Sequence, residues 1–438
     1  MAELSLQASP AQALRAIEME VEELEEAEAD AEQLFLIAAA AAVAEEEARL
    51  STTSDMDLGV PGVRGGDPEA VYGRATLRDR FSETGRQRRD VSGDLAASVL
   101  LRGTDDSFML YVRMPKDVFM MLGAAAYDET WDVPISVSGE YYEQTTVATG
   151  ERGRPMVHPK KRLFVLLYAL AHNFSSFAQL EIQFNMSATT CTELFEYDML
   201  LLLDVLRDEI SYPSRDEMID DITNLQDEVL TRIDEAAARG DVLEDEYASR
   251  LRRALFAVDG THIRLKKAPP GDNPTDYYCY KGFMSLQFLA VVNVYNDKIV
   301  DLVGPVPGRG SDSSMFPLLK LAKDPDRHLM ESTGRGVCVL ADGALDRSRY
   351  KYLVKPRRGA LSRSDPQCCM RNPIERRFGV SKSRWKIMHH GLPFSSTQKN
   401  GLVVHVCFRL DALLQRVCTP LERVVTGEET SDEVTQVP

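Results

Sequence analysis

The sequence predicts an α/β domain preceded by an α-helical region and an acidic N-terminal tail, helical or disordered. Three observations carry this. From Ala254 onward, apolar runs of strand length alternate with helical periodicity. Between residues 101 and 250 the apolar residues recur at helical spacing. Residues 1–60 hold 15 Asp/Glu against Arg15 and Arg49, a net of −13, which leaves only −4 of the total −17 for the rest of the chain. The expected division is a tail and linker at 1–100, a helical region at 101–250, the α/β domain at 251–415 and a C-terminal tail at 416–438.

The tail comes first. "EMEVEELEEAEADAEQLFLIAAAAAVAEEEARL" has no helix breaker and predicts a solvated helix or a disordered segment. Its apolar run is too short and too Ala-rich for a membrane span, so no membrane partner is expected. No basic stretch precedes an apolar core, so no secretory signal is expected. The seven cysteines are odd in number and form no C-x-x-C pair, which argues against a disulfide framework or a zinc site and for reduced thiols.

In the helical region, Val118, Met121 and Leu122 stand at helical spacing after Pro115, a residue suited to a helix start. "HPKKRLFVLLYALAHNFSSFAQLEIQFNMSATTCTELFEYDMLLLLDVL" then predicts three helices. The first covers 161–171, the second is capped by Ser175 or Ser176 and runs to Phe184, and the third is capped by Ser187 and runs to Leu206. Two short helices, a tight turn at "NMS" and a longer third helix have the shape of a helix-turn-helix over 158–206; a plain supporting bundle fits equally. Residues 216–247 predict a charged amphipathic helix.

In the α/β domain, "ALFAVDGTHIRL", "FMSLQFLAVVNVY", "KIVDLVGPV" and "GVCVLADGAL" read as strands, with a hairpin turn at "NDK". "DSSMFPLLKLAK" and "NPIERRFGVSKSRWKIM" read as helices. Four acids stand out: Asp259 inside the first strand, Asp312 at a helix start, Asp342 at the end of the fourth strand and Glu375 on the last helix. Their spacings are 53, 30 and 33 residues. A carboxylate in a buried strand is costly unless a cation meets it. Acids gathered at strand ends suit Mg²⁺ or Mn²⁺, which prefer oxygen ligands and as a pair can drive phosphodiester hydrolysis. Each acid alone also fits a cap or a solvated surface group, Asp312 above all.

The stretches "VDGTHIRL", "YYCYKGFMSLQFLAVVN", "VGPVPGRGSDSSMF", "VLADG" and "NPIERRFGVSKSRWK" stand in the order found in the PIF/Harbinger transposases. The chain resembles this family, a DDE superfamily of endonucleases with an RNase H-like catalytic domain, over about 108–414. The resemblance implies Asp259, Asp342 and Glu375 as the catalytic triad, Asp312 as a further metal ligand, a divalent cation as cofactor and DNA as substrate. It also implies a Myb-like DNA-binding accessory protein, a homo-oligomer and a nuclear or also cytoplasmic location. The sequence departs from the family at Ser311, in "DGAL" from Asp342 to Leu345 and at Met284, where other residues are usual. These losses leave open a domesticated, catalytically inactive DNA-binding regulator.

Residues 351–390 carry 11 Lys/Arg against Asp365 and Glu375. Arg376, Arg377, Lys382, Arg384 and Lys386 alternate with Phe378 and Trp385, which suits a helix tracking a phosphate backbone or a solvated basic face. Lys281 fits a scissile-phosphate contact or a solvated lysine. His262 fits a phosphate contact or a structural role. "PKKRLF" and "KPRRG" are weak nuclear-import signals.

Overall fold

The computed structural model describes residues 95–127, 131, 140–141, 156–172, 176–239, 243–330, 336–345, 347–357 and 365–426. The acidic tail, most of the linker region and residues 427–438 lie outside them, as do Arg358 and Gly359 of "KPRRG". The helices are α1 (Leu95–Arg102), α2 (Asp105–Val112), α3 (Lys116–Tyr127), α4 (Pro159–His172), α5 (Phe177–Phe184), α6 (Ala188–Val205), α7 (Arg215–Ala238) and α8 (Asp245–Leu251). Then come β1 (Ala254–Arg264), β2 (Ser285–Asn293), β3 (Ile299–Pro307), α9 (Asp312–Met315), α10 (Lys320–Lys323), α11 (Pro325–Leu329), β4 (Cys338–Leu340), β5 (Leu353–Val354), α12 (Pro366–Arg384), α13 (Lys386–His390) and α14 (Thr397–Thr426).

The helical region assembles around aromatic rings. Phe108 meets Phe119 at 5.1 Å, and Phe164 lies 6.3 Å from Phe108 and 6.2 Å from Phe184. The three helices expected over 161–206 are present, and Ser187 caps α6 by accepting from Thr190 N. Two acids of α6 turn inward: Asp198 pairs with Arg162 of α4, and Glu196 with Lys399 of α14 at 2.5 Å. Lys161, in the run expected as an import signal, is buried. The helical stretch expected over 216–247 divides into α7 and α8; a Ser214–Glu217 capping box starts α7.

The sheet has the order β3-β2-β1-β4-β5. β1, β2 and β3 form the expected antiparallel meander, while β4 and β5 run parallel to β1. β5, only two residues long, was not expected from the sequence. Strand alternation sorts the β1 side chains. Phe256 and Val258 join Met218 of α7 and Met315, Phe316, Leu321 and Leu329 of the α9–α11 segment in one core. The other face is covered by α12 and α14, where Phe378 meets Phe408 at 6.2 Å and His405 meets Phe288 at 5.9 Å. This mixed sheet with helices on both faces is compatible with an RNase H-like fold. No helix among the described residues is long and apolar enough to cross a membrane.

Candidate functional site

β4 pairs with β1 only as far as Leu340 opposite Ala257. Asp342 stands two residues beyond that last pair, and Asp259 two residues beyond on β1. Both acids therefore stand where the pairing ends, at the carboxyl end of parallel strands, where α/β sheets commonly bind ligands. Asp342 is held by a bond from Ala344 N to its Oδ1 at 2.8 Å. Ser313 of α9 donates to Ala344 O at 3.1 Å, which ties the start of α9 to the loop after β4.

Ser311 caps α9 and places Asp312 at its first residue. The Asp312 carboxylate lies against Gly260, where any Cβ would overlap its Oδ1. Gln287 of β2 donates to the same oxygen at 2.5 Å. Helix α12 is registered on the sheet by Gln367, whose Nε2 donates to Ala341 O at 2.7 Å and Val354 O at 3.0 Å. Buried Asp365 caps that helix by accepting from Gln367 N, and also accepts from Tyr247 at 2.8 Å and Arg357 at 3.0 Å.

From this helix Arg371 reaches Asp259 at 3.1 Å and Glu375, one turn on, at 3.2 Å. The electrostatics link the four acids. Burial pushes the Asp259 carboxyl up to about 6; Arg371 opposes this, and the charges of Asp312 and Glu375 add to it. Burial likewise raises Asp312, and Asp342 adds to the rise. The donor set is all carboxylate oxygen, and mutual repulsion is what a hard cation would relieve, so the residues fit a divalent ion. As they are placed, no three His, Cys, Asp or Glu among the described residues stand close enough to hold one. Arg371 supplies the local positive charge.

The basic residues divide. Arg377 is buried and pairs with Asp411 of α14 at 2.8 Å; Arg384 pairs with the same carboxylate. These two lock α12 to α14 instead of facing solvent as a phosphate-tracking stripe would. Arg376 is exposed but paired with Asp297 at 2.5 Å. Lys386 is half-buried. Lys382 donates to Thr261 Oγ1 at 2.6 Å and His262 O at 3.1 Å. His262 Nδ1 lies 3.1 Å from Ser285 Oγ, and burial with the charges of Lys281 and Lys382 lowers its pKa to about 4. Phe378 and Trp385, which interrupt the basic run, are buried.

Sequence reading missed Arg371, Gln287 and Gln367. Only Arg371 carried a usable signal, its position four residues before Glu375, which places both on one helix face.

Residues 258–411 match the model of a family described as DDE superfamily endonuclease, an interval that contains all four acids. Neither the curated proteins nor the solved structures contain a match.

Proposed function

We propose that the α/β domain is a divalent-metal-dependent DNA endonuclease or transposase of the DDE class, of PIF/Harbinger type. Asp259, Asp342 and Glu375 are its catalytic acids and Asp312 a further metal ligand. The supporting observation is that one family match spans four acids that already perturb one another. Mg²⁺ or Mn²⁺ held there would supply Lewis acidity and an activated water for phosphodiester hydrolysis. The chain's own residues do the rest. Gln287 and Gly260 fix Asp312, Gln367 fixes the register of α12, and Arg371 restrains Asp259 and Glu375. Lys281, Lys382, Lys386 and Arg376 are the proposed DNA contacts; Arg377 and Arg384 support the helix. Helices α4–α6 serve as a scaffold: Asp198 and Glu196 are taken up in ion pairs with Arg162 and Lys399, and the exposed Glu193 and Asp204 of α6 disfavour phosphate contact. A Myb-like accessory protein, a homo-oligomer and a nuclear location belong to the same reading.

The test is cleavage of DNA carrying candidate terminal repeats in Mn²⁺ or Mg²⁺. Glu375→Gln should lower the rate on the order of 10³-fold, the equivalent of several kcal/mol of transition-state stabilisation, with DNA binding retained. Equal cleavage by wild type and variant sinks the assignment. One observation favours a second reading, an inactive DNA-binding regulator: the Arg371 guanidinium already pairs with both Asp259 and Glu375. DNA binding without cleavage under every metal condition would select it.

A further inference from the structure

Tyr280 is 86% exposed, the most exposed large hydrophobic side chain among the described residues. It is not a stray surface ring. Its ring lies 5.5 Å from that of His262, edge to face, and the Lys281 ammonium sits over it at 5.4 Å. The loop that carries it is anchored. Cys279 N donates to Phe283 O and Gly282 N to Cys279 O, closing a tight turn in which Gly282 adopts a positive φ of 79°. Tyr278, half exposed, stands beside it.

The surroundings are cationic. Lys382 and Lys281 both bear on His262, and Lys281 adds to the burial that lowers Lys382. No carboxylate among the described residues pairs with either lysine. His262 is three residues beyond Asp259 on β1, about 10 Å along an extended strand. Strand alternation puts His262 on the face of Gly260, where the Asp312 carboxylate rests, so the exposed ring and the two lysines stand near the end of β1 that carries the acids.

We infer that Tyr280 is a stacking seat for an unpaired nucleobase next to the cleaved phosphate, with Lys281 and Lys382 holding the adjoining phosphates. The inference rests on the nuclease reading and names how its substrate is held. Charge selects a polyanion, and a bare ring selects a π-face, which every base offers. A paired duplex keeps its bases stacked on each other, so the seat favours frayed or single-stranded ends.

The test uses the full chain in EDTA, with fluorescein-labelled oligothymidylate and a fully paired duplex of the same length. Tyr280→Ala should weaken oligothymidylate binding roughly 5- to 150-fold, change duplex binding far less and leave the salt dependence unaltered. Tyr280→Phe should bind as wild type, since the ring and not the hydroxyl acts. Lys281→Ala should reduce the salt slope by about 0.7, one phosphate on a single strand. Because Tyr280 is exposed, these variants should fold. The proposal is overturned if Tyr280→Ala binds oligothymidylate like wild type, or if Tyr280→Phe loses as much as Tyr280→Ala. Wild-type protein that cleaves DNA while Tyr280→Ala is unaffected removes the seat alone; wild-type protein that binds neither DNA removes the nuclease reading with it.

Discussion

Arg371 Nη1 lies 3.1 Å from Asp259 Oδ1, so a strand carboxylate at the centre of the sheet is met by a guanidinium from α12. The same guanidinium holds Glu375. It offsets part of the repulsion that burial and neighbouring acids impose on Asp259. Arg371→Ala should therefore cost about 1–2 kcal/mol in EDTA, between the values for exposed and buried pairs. It should also enlarge the rise in Tm produced by Mn²⁺, because a competing cation is gone. Thermal unfolding with and without Mn²⁺ reads both effects; an unchanged metal-induced rise counts against Arg371 as a competitor.

Gly260 lets the Asp312 carboxylate rest on β1. Gly260→Ala forces that carboxylate away and strains its bond from Gln287. A loss of about 1–3 kcal/mol is expected from overpacking. Urea denaturation of Gly260→Ala and of the double variant with Asp312→Gly checks the cause: the second change should restore much of the stability. No recovery would place the strain elsewhere.

Asp411 accepts from Arg377, Ser381 and Arg384 and is fully buried. Asp411→Ala leaves two guanidinium groups without their anion, one of them buried, and should destabilise the fold by about 3–5 kcal/mol. The urea midpoint measures this. A loss below about 1 kcal/mol, the range of surface pairs, would mean that the α12–α14 lock contributes little.

Lys382 gives a pH signature. Burial, with a smaller contribution from Lys281, lowers its pKa from 10.5 to about 8. Between those values the unfolded chain binds more protons, so this group makes stability rise with pH; below about 8 its buried charge opposes folding in full. In the DNA contact proposed for it, its contribution runs the other way and should be lost as pH rises through 8. Wild-type affinity should fall about tenfold from pH 7 to 9, the worth of one charge-assisted bond, and Lys382→Arg should stay flat. Parallel titrations by fluorescence anisotropy decide it; equal slopes would exclude Lys382 from the DNA contact.

The legible parts of the molecule were those set by local chemistry. The meander β1–β3 follows from apolar runs of strand length and the "NDK" turn, where Asp297 takes a positive φ of 60°. Ser187 announced its helix as a cap, whereas α9 is capped by Ser311 and not by Asp312, the cap candidate read from the sequence. Asp259 and Glu375 stood out as carboxylates within a strand and a helix, and Asp312 and Asp342 as carboxylates at element ends. What escaped notice depends on partners distant in sequence. Arg377 and Arg384 looked like a DNA-facing stripe because nothing nearby shows that Asp411 waits on α14. Strand β5 is too short for periodicity and exists through its pairing with β4. Gln367 reads as an ordinary polar helix residue until Ala341 and Val354 present their carbonyls to it.

The Asp411 lock has a consequence for the order in which the chain is made. Glu375, the last of the four acids, leaves the ribosome 36 residues before Asp411, a delay of roughly 2–7 s at about 5–20 residues per second. Throughout that interval the helix bearing Glu375 lacks the helix that clamps it. A nascent chain therefore carries all four acids before their framework is complete, and α12 is clamped only once α14 has been released to close over it.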